Sequence, residues 1–184
     1  MKMTLKNVRL SFPNLFTPGE KFNKYGASFL FEEGGEVHKA LEKTMLDVAK
    51  DKWGAKGEST LKTIKSTLKC CLHSGGEKAD YAGYEGNMFL ASVADKAPKV
   101  KDLDGRTNLT EGTDRIYSGC YVNAVVDIWA QDNGWGKRIN AKLLGVQFLR
   151  DGDSFEGGAT LSDDDFEDLS VADKDDDFDF EDES

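Results

Sequence analysis

Aromatic rings and positively charged side chains lie side by side along several stretches of this 184-residue sequence. Tyr121 and Trp129 fall on the polar face of a long alternating segment, where Thr, Lys or Glu would usually meet solvent. Trp135 lies in a turn beside Lys137 and Arg138. Cations pair with phosphates, and unstacked bases lie on rings with a gain of about 1–3 kcal/mol each. The pattern predicts a site for a single-stranded nucleic acid, because a duplex keeps its bases stacked inside.

The same combination recurs earlier in the chain, where Lys21 and Lys24 flank Phe22 and Tyr25. Any single ring could equally cap a barrel end or cover a small core, and lysines often form only a solvated surface. We therefore expect at least two of the six tyrosines and tryptophans in the following list to contact the nucleic acid. The candidate contacts are Tyr25, Tyr81, Tyr84, Lys99, Lys101, Arg106, Tyr121, Trp129, Trp135, Lys137, Arg138 and Lys142.

Cys70, Cys71 and His73 form the group that comes nearest to a metal-binding cluster. A structural zinc site usually has cysteine pairs about two to four residues apart, and adjacent residues of a strand point to opposite faces. We therefore interpret the three as ordinary core and surface residues. The sequence has no phosphate loop, nucleophile elbow or zinc-protease motif. No catalytic residue, metal or cofactor is predicted. A metal-dependent nuclease accessory stays an alternative, which tightly bound zinc or Mg²⁺-dependent cleavage would support.

The charge is divided unevenly along the chain. The formal net charge is -10 and the pI is near 4.7. Residues 151–184 contain 16 acidic residues and one base, Lys174, so they carry -15. Residues 1–150 carry +5, with 23 bases and 18 acids. The sequence is a mildly basic body followed by a strongly acidic arm.

The arm ends in DDDFDFEDES. It is too poor in apolar residues to offset the entropy of ordering, so we expect it to be disordered when free. Tethered at an effective concentration on the order of millimolar, it is predicted to compete with DNA and to dock in a basic, apolar pocket of a partner. A solubilising tail is the alternative, although phenylalanine works against solubility. The predicted partner-binding residues are Asp175, Asp176, Asp177, Phe178, Asp179, Phe180, Glu181, Asp182 and Glu183.

Alternating patterns place these residues on a series of strands with one helical interruption. In the longest strand the even positions from Cys120 to Ile128 are apolar and face a core. The hairpin turn that follows would put Arg138, Asn140 and Lys142 on one side of the returning strand. The predicted elements are a strand over 6–12 that Pro13 ends, a loop over 17–26, a strand over 27–33, a helix over 36–53, a helix or helical turn over 59–69, a strand over 87–95, a turn or edge over 96–106, and strands over 116–131 and 138–149.

Strands with one intruding helical region indicate a mainly β domain, a small closed or partly closed barrel. It would span residues 1–150, with a helical insertion at about 36–68, and the acidic tail would span 151–184. No run of about 18 apolar residues occurs, and the N-terminus lacks the apolar core of a signal peptide. The three cysteines, an odd number, fit a reducing cytoplasm.

Three segments carry a resemblance to a known family: APKVKDLDG, IYSGCYVNAVVDIWAQDNGWGKRINAKLLGVQFLRDGDSFEGG and the final acidic run. They resemble the single-stranded-DNA-binding proteins of tailed bacteriophages, a phage and prophage family long catalogued as a domain of unknown function. The resemblance implies a five-stranded Greek-key OB-fold with DNA across its concave face. It also implies DNA contacts for Tyr117, Tyr121, Trp129 and the loop 99–106.

The resemblance further implies a role in phage replication, recombination and repair, in the cytoplasm of the bacterial host. The tail would contact phage replication proteins such as the polymerase or the helicase–primase, and a homodimer is left open. The main alternative is an adaptor or DNA mimic that acts through its acidic tail. RNA binding is a close neighbour, because only contacts to the 2′-OH would separate it from DNA binding.

Overall fold

The computed structural model describes residues 1–155, so residues 156–184 of the tail predicted over 151–184 lie outside the described residues. The described part consists of strands that close into a barrel and of two helices inserted between the second and third strands. The elements are β1 (Lys2–Gly19), β2 (Lys24–Glu32), α1 (Glu36–Trp53), α2 (Gly57–Ser66), β3 (Leu72–Ser74), β4 (Asn87–Ala94), β5 (Lys99–Lys101), β6 (Tyr121–Asn133) and β7 (Gly136–Arg150).

Five long strands close the barrel. The sheet runs in the order β3-β4-β2-β1-β6-β7-β5, and a parallel pairing of β4 with β7 at Val93 and Lys142 closes the ring. Strands β1, β2, β4, β6 and β7 therefore correspond to strands one to five of an OB-fold. The short β3 and β5 extend the sheet outside the ring. The predicted fold class, mainly β with a helical insertion and an OB barrel, is confirmed.

Strict alternation in β6 builds the interior of the barrel. Val122, Ala124, Val126 and Ile128 are fully buried, as is Cys120 just before the strand. Successive side chains of a strand point to opposite faces, so the odd residues of β6 all lie on the outside. The predicted core face of this strand is confirmed, and the same alternation puts Trp129 on the outer surface.

Strand β1 differs from its prediction because Pro13 does not end it. The strand continues to Gly19, and its pairing with β2 shifts register between Ser11 and Asn14. Proline cannot donate to a ladder but is tolerated at a bulge. Phe12 has a positive φ of 48°. Its side chain therefore breaks the alternation and lies 48% exposed.

The helical insertion covers one part of the barrel. Helix α1 begins and ends where the periodicity predicts, and it buries Leu41 and Met45. The segment predicted as a second helix or helical turn is α2, which buries Leu61 and Ile64. Helix α1 packs on β2 and β6, and α2 packs on β7. Within residues 1–155, no helix is both long and apolar enough to cross a membrane.

Residues 151–155 lie against the barrel, although the predicted boundary assigned them to the tail. The Tyr117 hydroxyl donates to the Gly152 carbonyl at 2.9 Å and accepts from the Gly152 N–H at 3.1 Å. The Arg9 guanidinium lies 4.1 Å from the centroid of the Phe155 ring. Gly83 leaves room for that ring, since a Cβ there would lie 2.6 Å from it. We call residues 151–155 with these partners the C-terminal clasp.

Candidate nucleic-acid interface

A groove lined with rings and cations crosses the outside of the barrel from the β6–β7 hairpin to the β1–β2 hairpin. It consists of two adjoining depressions of about 630 and 460 Å³, which share Lys24 and Val93. We call it the aromatic groove. Its principal side chains are Phe12, Lys21, Phe22, Lys24, Tyr25, Val93, Trp129, Gln131, Asn140 and Lys142.

Trp129 and Lys142 come from neighbouring strands at one end of this groove. Trp129 is paired with Asn140, and Asp127 with Lys142, so these side chains leave the same outer face. Arg138 lies two residues before Asn140 and shares that face. The predicted hairpin register is thus confirmed. The exposed fraction of Trp129 is 41%, which leaves a ring surface on which a base can stack.

The other end of the groove is formed by the β1–β2 hairpin and a neighbouring loop. Phe22 is 72% exposed in the turn between the two strands, and Tyr25 follows at the start of β2. Phe12 reaches the same depression and meets Tyr81 edge to face, with ring centroids 5.0 Å apart. The Lys78 ammonium lies 5.8 Å from the Phe12 centroid. Rings and cations therefore alternate at this end as well.

The β6–β7 turn extends the groove beyond the barrel. Trp135 sits at its tip with 88% of its surface exposed. Helix α1 supports the hairpin, because the Trp53 indole N–H donates to the Asp132 carboxylate at 2.9 Å. The Lys137 ammonium lies 5.8 Å from the Trp53 centroid. The helical insertion thus fixes the position of the hairpin that carries Trp135.

The groove occupies the surface with which OB-folds bind oligonucleotides. That surface combines the face of strands two and three with the loops between strands one and two and between strands four and five. Here these are β2 and β4, the turn that carries Phe22, and the turn that carries Trp135. A nucleic-acid strand that runs along the groove from one hairpin to the other would therefore pass exposed rings on both loops and on the strands between them.

One lysine and one carboxylate of the groove are already engaged in ion pairs. Lys24 forms an ion pair with Asp95, and its hydrogen bond holds the pKa of that carboxyl below the ordinary value. The amino group of Met1 binds Asp127 at 2.7 Å. Lys142 and Lys21 form no ion pair with any residue of the described part. These two lysines are the best placed to meet a phosphate.

Tyr84, a predicted DNA contact, lies in the core rather than on the surface. It is fully buried, and its hydroxyl donates to the Ser11 Oγ at 2.9 Å. Burial raises the pKa of Tyr84, because the phenolate would lose its hydration. The ring packs edge to face on Phe89 at 5.0 Å. A base cannot reach this ring, so Tyr84 is a core residue beneath the groove rather than a contact in it.

Tyr117 belongs to the C-terminal clasp, and Tyr121 lies beside it, since a Cβ on Gly152 would lie 2.9 Å from its ring. Tyr117 binds residues 151 and 152 through its hydroxyl. The Tyr121 ring lies against two guanidinium groups, with Arg150 at 3.7 Å and Arg9 at 5.6 Å from its centroid. Neither tyrosine lines the aromatic groove. The sequence could not show this, because the clasp joins residues that are far apart in the chain.

Lys99 and Lys101 line a second groove, of about 600 Å³, on the outside of β1, β5, β6 and β7. We call it the lysine groove. Arg106 lies in the adjoining loop, where its backbone N–H donates to Asp104 at 2.8 Å. The structure therefore divides the predicted contacts. Tyr25, Trp129 and Lys142 line the aromatic groove. Tyr81, which packs on Phe12, and Arg138, which is paired with Gln131, border it, and Trp135 lies beyond it at the tip of the hairpin. Lys137 lies over Trp53 of α1, whereas Lys99, Lys101 and Arg106 lie at or beside the lysine groove.

Some residues of the aromatic groove were missed as contacts in the sequence. Regular alternation over the strand predicted at 6–12 would put Phe12 on the same face as Val8 and Leu10, and the register shift at Pro13 turns it away from that face. Val93 is 52% exposed at the parallel closure of β4 on β7, which no local pattern indicates. Phe22 and Lys24 gave a usable signal, since rings and cations alternate in KFNKYG.

The three cysteines lie in the core of the protein. Cys70, Cys71 and Cys120 are buried, and the Cys70 thiol lies 3.6 Å from the Met45 sulfur. A hydrogen bond with Cys70, together with burial, raises the pKa of Cys71. Among residues 1–155, no three His, Cys, Asp or Glu side chains are grouped so that they could hold a metal ion.

Comparison with known proteins identifies the family. The family model described as Enterobacter phage Enc34, ssDNA-binding protein, matches residues 1–179. The chain belongs to this family. Protein p50 of Acyrthosiphon pisum secondary endosymbiont phage 1 is 40% identical over 181 residues, covering 95% of this chain and 97% of that protein. The predicted resemblance to phage single-stranded-DNA-binding proteins is thus confirmed.

Solved structures of the Enc34 family agree with the fold. The single-stranded DNA-binding protein of bacteriophage Enc34 in complex with ssDNA is 25% identical, with a TM-score of 0.68, covering 84% of this chain and 89% of that one. Another structure of the Enc34 protein is 27% identical, with a TM-score of 0.67 and 90% of each chain covered. The gp2.5 protein of bacteriophage T7 is 10% identical, with a TM-score of 0.56, and shares the fold.

Proposed function

We propose that this protein binds single-stranded DNA in the aromatic groove without strong sequence preference. The carrying observation is the row of exposed rings beside lysines on the surface that OB-folds use for oligonucleotides. Stacking tolerates any base, because every base has a π-face. Membership of the Enc34 family supports the same ligand, since a relative of this fold was solved with ssDNA.

Membership of the family and the charge of the acidic arm support a wider role. The protein coats single-stranded DNA during phage replication, recombination and repair, in the host cytoplasm, and it acts as a binding protein rather than an enzyme. Its acidic tail opposes DNA binding through its charge of -15 from residue 151 onward. The last ten residues recruit replication proteins such as the polymerase or the helicase–primase.

Fluorescence anisotropy with a labelled oligo-dT tests the DNA site. Trp129→Ala and Trp135→Ala each remove an exposed ring, and a base–ring stack is worth about 1–3 kcal/mol, so each should weaken binding by about 5- to 150-fold. Leu103→Ala is the control, because it removes an exposed apolar side chain that does not line the groove. If both alanine variants bound oligo-dT with unchanged affinity, the aromatic groove would not be the DNA-binding site.

The same assay separates DNA coating from the adaptor alternative. The full chain should bind oligo-dT much more tightly than a duplex of equal length, because a duplex offers no unstacked bases. A chain without residues 175–184 should bind oligo-dT at least as tightly as the full chain. An adaptor or DNA mimic would show no binding to oligo-dT in either form.

A further inference from the structure

The lysine groove has a composition unlike that of the aromatic groove. Lys2, Lys99 and Lys101 stand around it, and among residues 1–155 no carboxylate and no aromatic ring lines it. Its floor contains the aliphatic side chains of Val125 and Leu144. Leu144 reaches the outside because it is the extra residue of a bulge, between the pairs of Val125 with Gly145 and Val126 with Leu143.

No carboxylate of residues 1–155 forms an ion pair with Lys2, Lys99 or Lys101. The Lys101 ammonium donates to the Asn108 Oδ1 at 2.6 Å. Lys2 is paired with Asp127 in the ladder, and the Asp127 carboxylate binds the amino group of Met1. The nearest acids along the chain are occupied by other donors. Arg115 binds Asp102 at 2.8 Å, and the Asp104 carboxylate accepts from the hydroxyl and N–H of Thr107 and from the N–H of Arg106.

A groove of this kind suits an acidic peptide better than a DNA base. It offers no ring for stacking, yet it combines an apolar floor with cations at its rim. A peptide with carboxylates and apolar side chains on opposite faces would satisfy both. In an extended segment, residues two apart share a face. Phe178 and Phe180 would then point one way, and Asp177, Asp179 and Glu181 the other.

We infer that residues 175–184 of this same chain dock in the lysine groove, with the phenylalanines on its aliphatic floor and the carboxylates on its lysines. This docking extends the role proposed above for the tail and rests on that proposed function. It gives the tail a site separate from the aromatic groove, so a short DNA strand and the docked tail can occupy the protein together. A partner that recruits through the tail must first withdraw it from these lysines.

The tail can reach this groove without stretching. The clasp holds Phe155 beside Arg9, which is paired with Tyr121 on β6. Val125 lies four residues further along β6 on the same outer face, a distance of about 13 Å at the rise of a strand. Asp175 is the twentieth residue after Phe155. A flexible chain of that length has an end-to-end distance of about 22–27 Å.

Zero-length carbodiimide cross-linking of the full chain, mapped by mass spectrometry, tests the docking. Carboxylates of residues 175–183 should cross-link mainly to Lys2, Lys99 and Lys101. An equal mixture of ¹⁵N-labelled and unlabelled chains should give cross-links within one chain. Three outcomes would overturn the inference. The cross-links could form mainly with Lys24 and Lys142, they could be spread evenly over the exposed lysines, or they could form only between differently labelled chains.

A charge-conserving variant of the tail separates docking from plain attraction. Phe178→Ser with Phe180→Ser should lower the cross-links to the three lysines at least fivefold, while Phe166→Ser, the matched control, should leave them unchanged. Equal cross-linking in all three chains would overturn the docking, because charge alone would then explain the contact.

A saturating short oligo-dT, with its binding followed in the same sample by tryptophan fluorescence, separates this inference from the proposed function. The cross-links should persist when the DNA is bound. Their loss would mean that DNA phosphates use the lysine groove, which overturns the inference and leaves DNA binding standing. Persistent cross-links without any binding of oligo-dT would instead refute the proposed function.

Discussion

Exposure at single residues divides the aromatic side chains of this protein into two groups with different roles. Trp129, Trp135 and Phe22 present large exposed surfaces, whereas Tyr84 is fully buried and bonded to Ser11. A ring in the first group can gain a stacked base, and a ring in the second can only stabilise the barrel. Mutation of an exposed ring should therefore weaken DNA binding, whereas mutation of the buried ring should lower the stability of the fold.

Tyr84→Phe tests the core role. The substitution leaves the Ser11 hydroxyl without its buried donor and should lower the free energy of unfolding by about 1–2 kcal/mol. Chemical denaturation measures this change, and the affinity for oligo-dT should stay the same. Tyr81→Phe, at an exposed ring, is the control and should leave stability unchanged. Full stability together with weaker DNA binding would place Tyr84 in the interface after all.

Asp104 makes the 102–108 loop sensitive to acid. Hydrogen bonds from the Thr107 hydroxyl and from the N–H groups of Arg106 and Thr107 lower its pKa from 3.8 to about 2. Because the pKa of Asp104 is lower in the folded loop, its ionised carboxylate stabilises the folded loop at pH values above the ordinary pKa. This contribution is lost as the pH falls from about 4 to about 2.

Amide chemical shifts of Arg106 and Thr107, followed through that pH window, measure the transition. Both amides should titrate together with the carboxyl of Asp104. In Asp104→Asn, whose side chain carries no titrating proton, the two amides should show no such step. A step of equal size in the asparagine variant would assign the transition to another group.

At the scale of elements, the clasp makes residues 151–155 part of the folded body. Phe155 donates its N–H to the Ser118 carbonyl and packs beside Tyr84. A chain that ends at Arg150 loses these contacts and the hydrogen bonds of Tyr117. We expect it to be less stable than a chain that ends at Phe155 by about 2 kcal/mol or more, which corresponds to about 4–8 °C in Tm.

Differential scanning calorimetry of the two truncated chains and of the full chain makes the comparison. The chain that ends at Phe155 should unfold close to the temperature of the full chain, since both keep the clasp. Equal melting temperatures for the endings at Arg150 and Phe155 would show that the clasp contributes no stability.

At the scale of the whole molecule, some lysines of the outer surface lie in the aromatic groove and others lie outside it. Lys142 lies in the aromatic groove and should contact a phosphate, whereas Lys39 on α1 is exposed outside it. Neutralising one phosphate contact changes the slope of log K against log salt for a single strand by about 0.7. Lys142→Gln should make the slope shallower by that amount, and Lys39→Gln should leave it unchanged.

Anisotropy titrations with oligo-dT between about 50 and 200 mM salt give both slopes, a range over which phosphate contacts are readily resolved. An equal change of slope in the two variants would mean that a diffuse field, rather than the groove, attracts the strand.

Much of this molecule follows from the sequence alone. Alternation over 116–131 predicted β6 and its core face, and the 3.6-residue period predicted α1 at its observed bounds. The division of charge between the body and the arm is a property of composition. These features depend on neighbours a few residues apart, and such neighbours share a strand or a helix whatever the rest of the chain does.

Only the tertiary structure decided which rings and cations form one site. Lys24, Val93 and Lys142 meet because β4 closes on β7, and Phe12 joins them because a bulge at Pro13 turns it outward. Closure and bulges depend on pairing between distant strands, which no local period encodes. For the same reason, Tyr84 entered the core, Tyr117 joined the clasp, and the lysines near residue 100 gathered in a groove of their own.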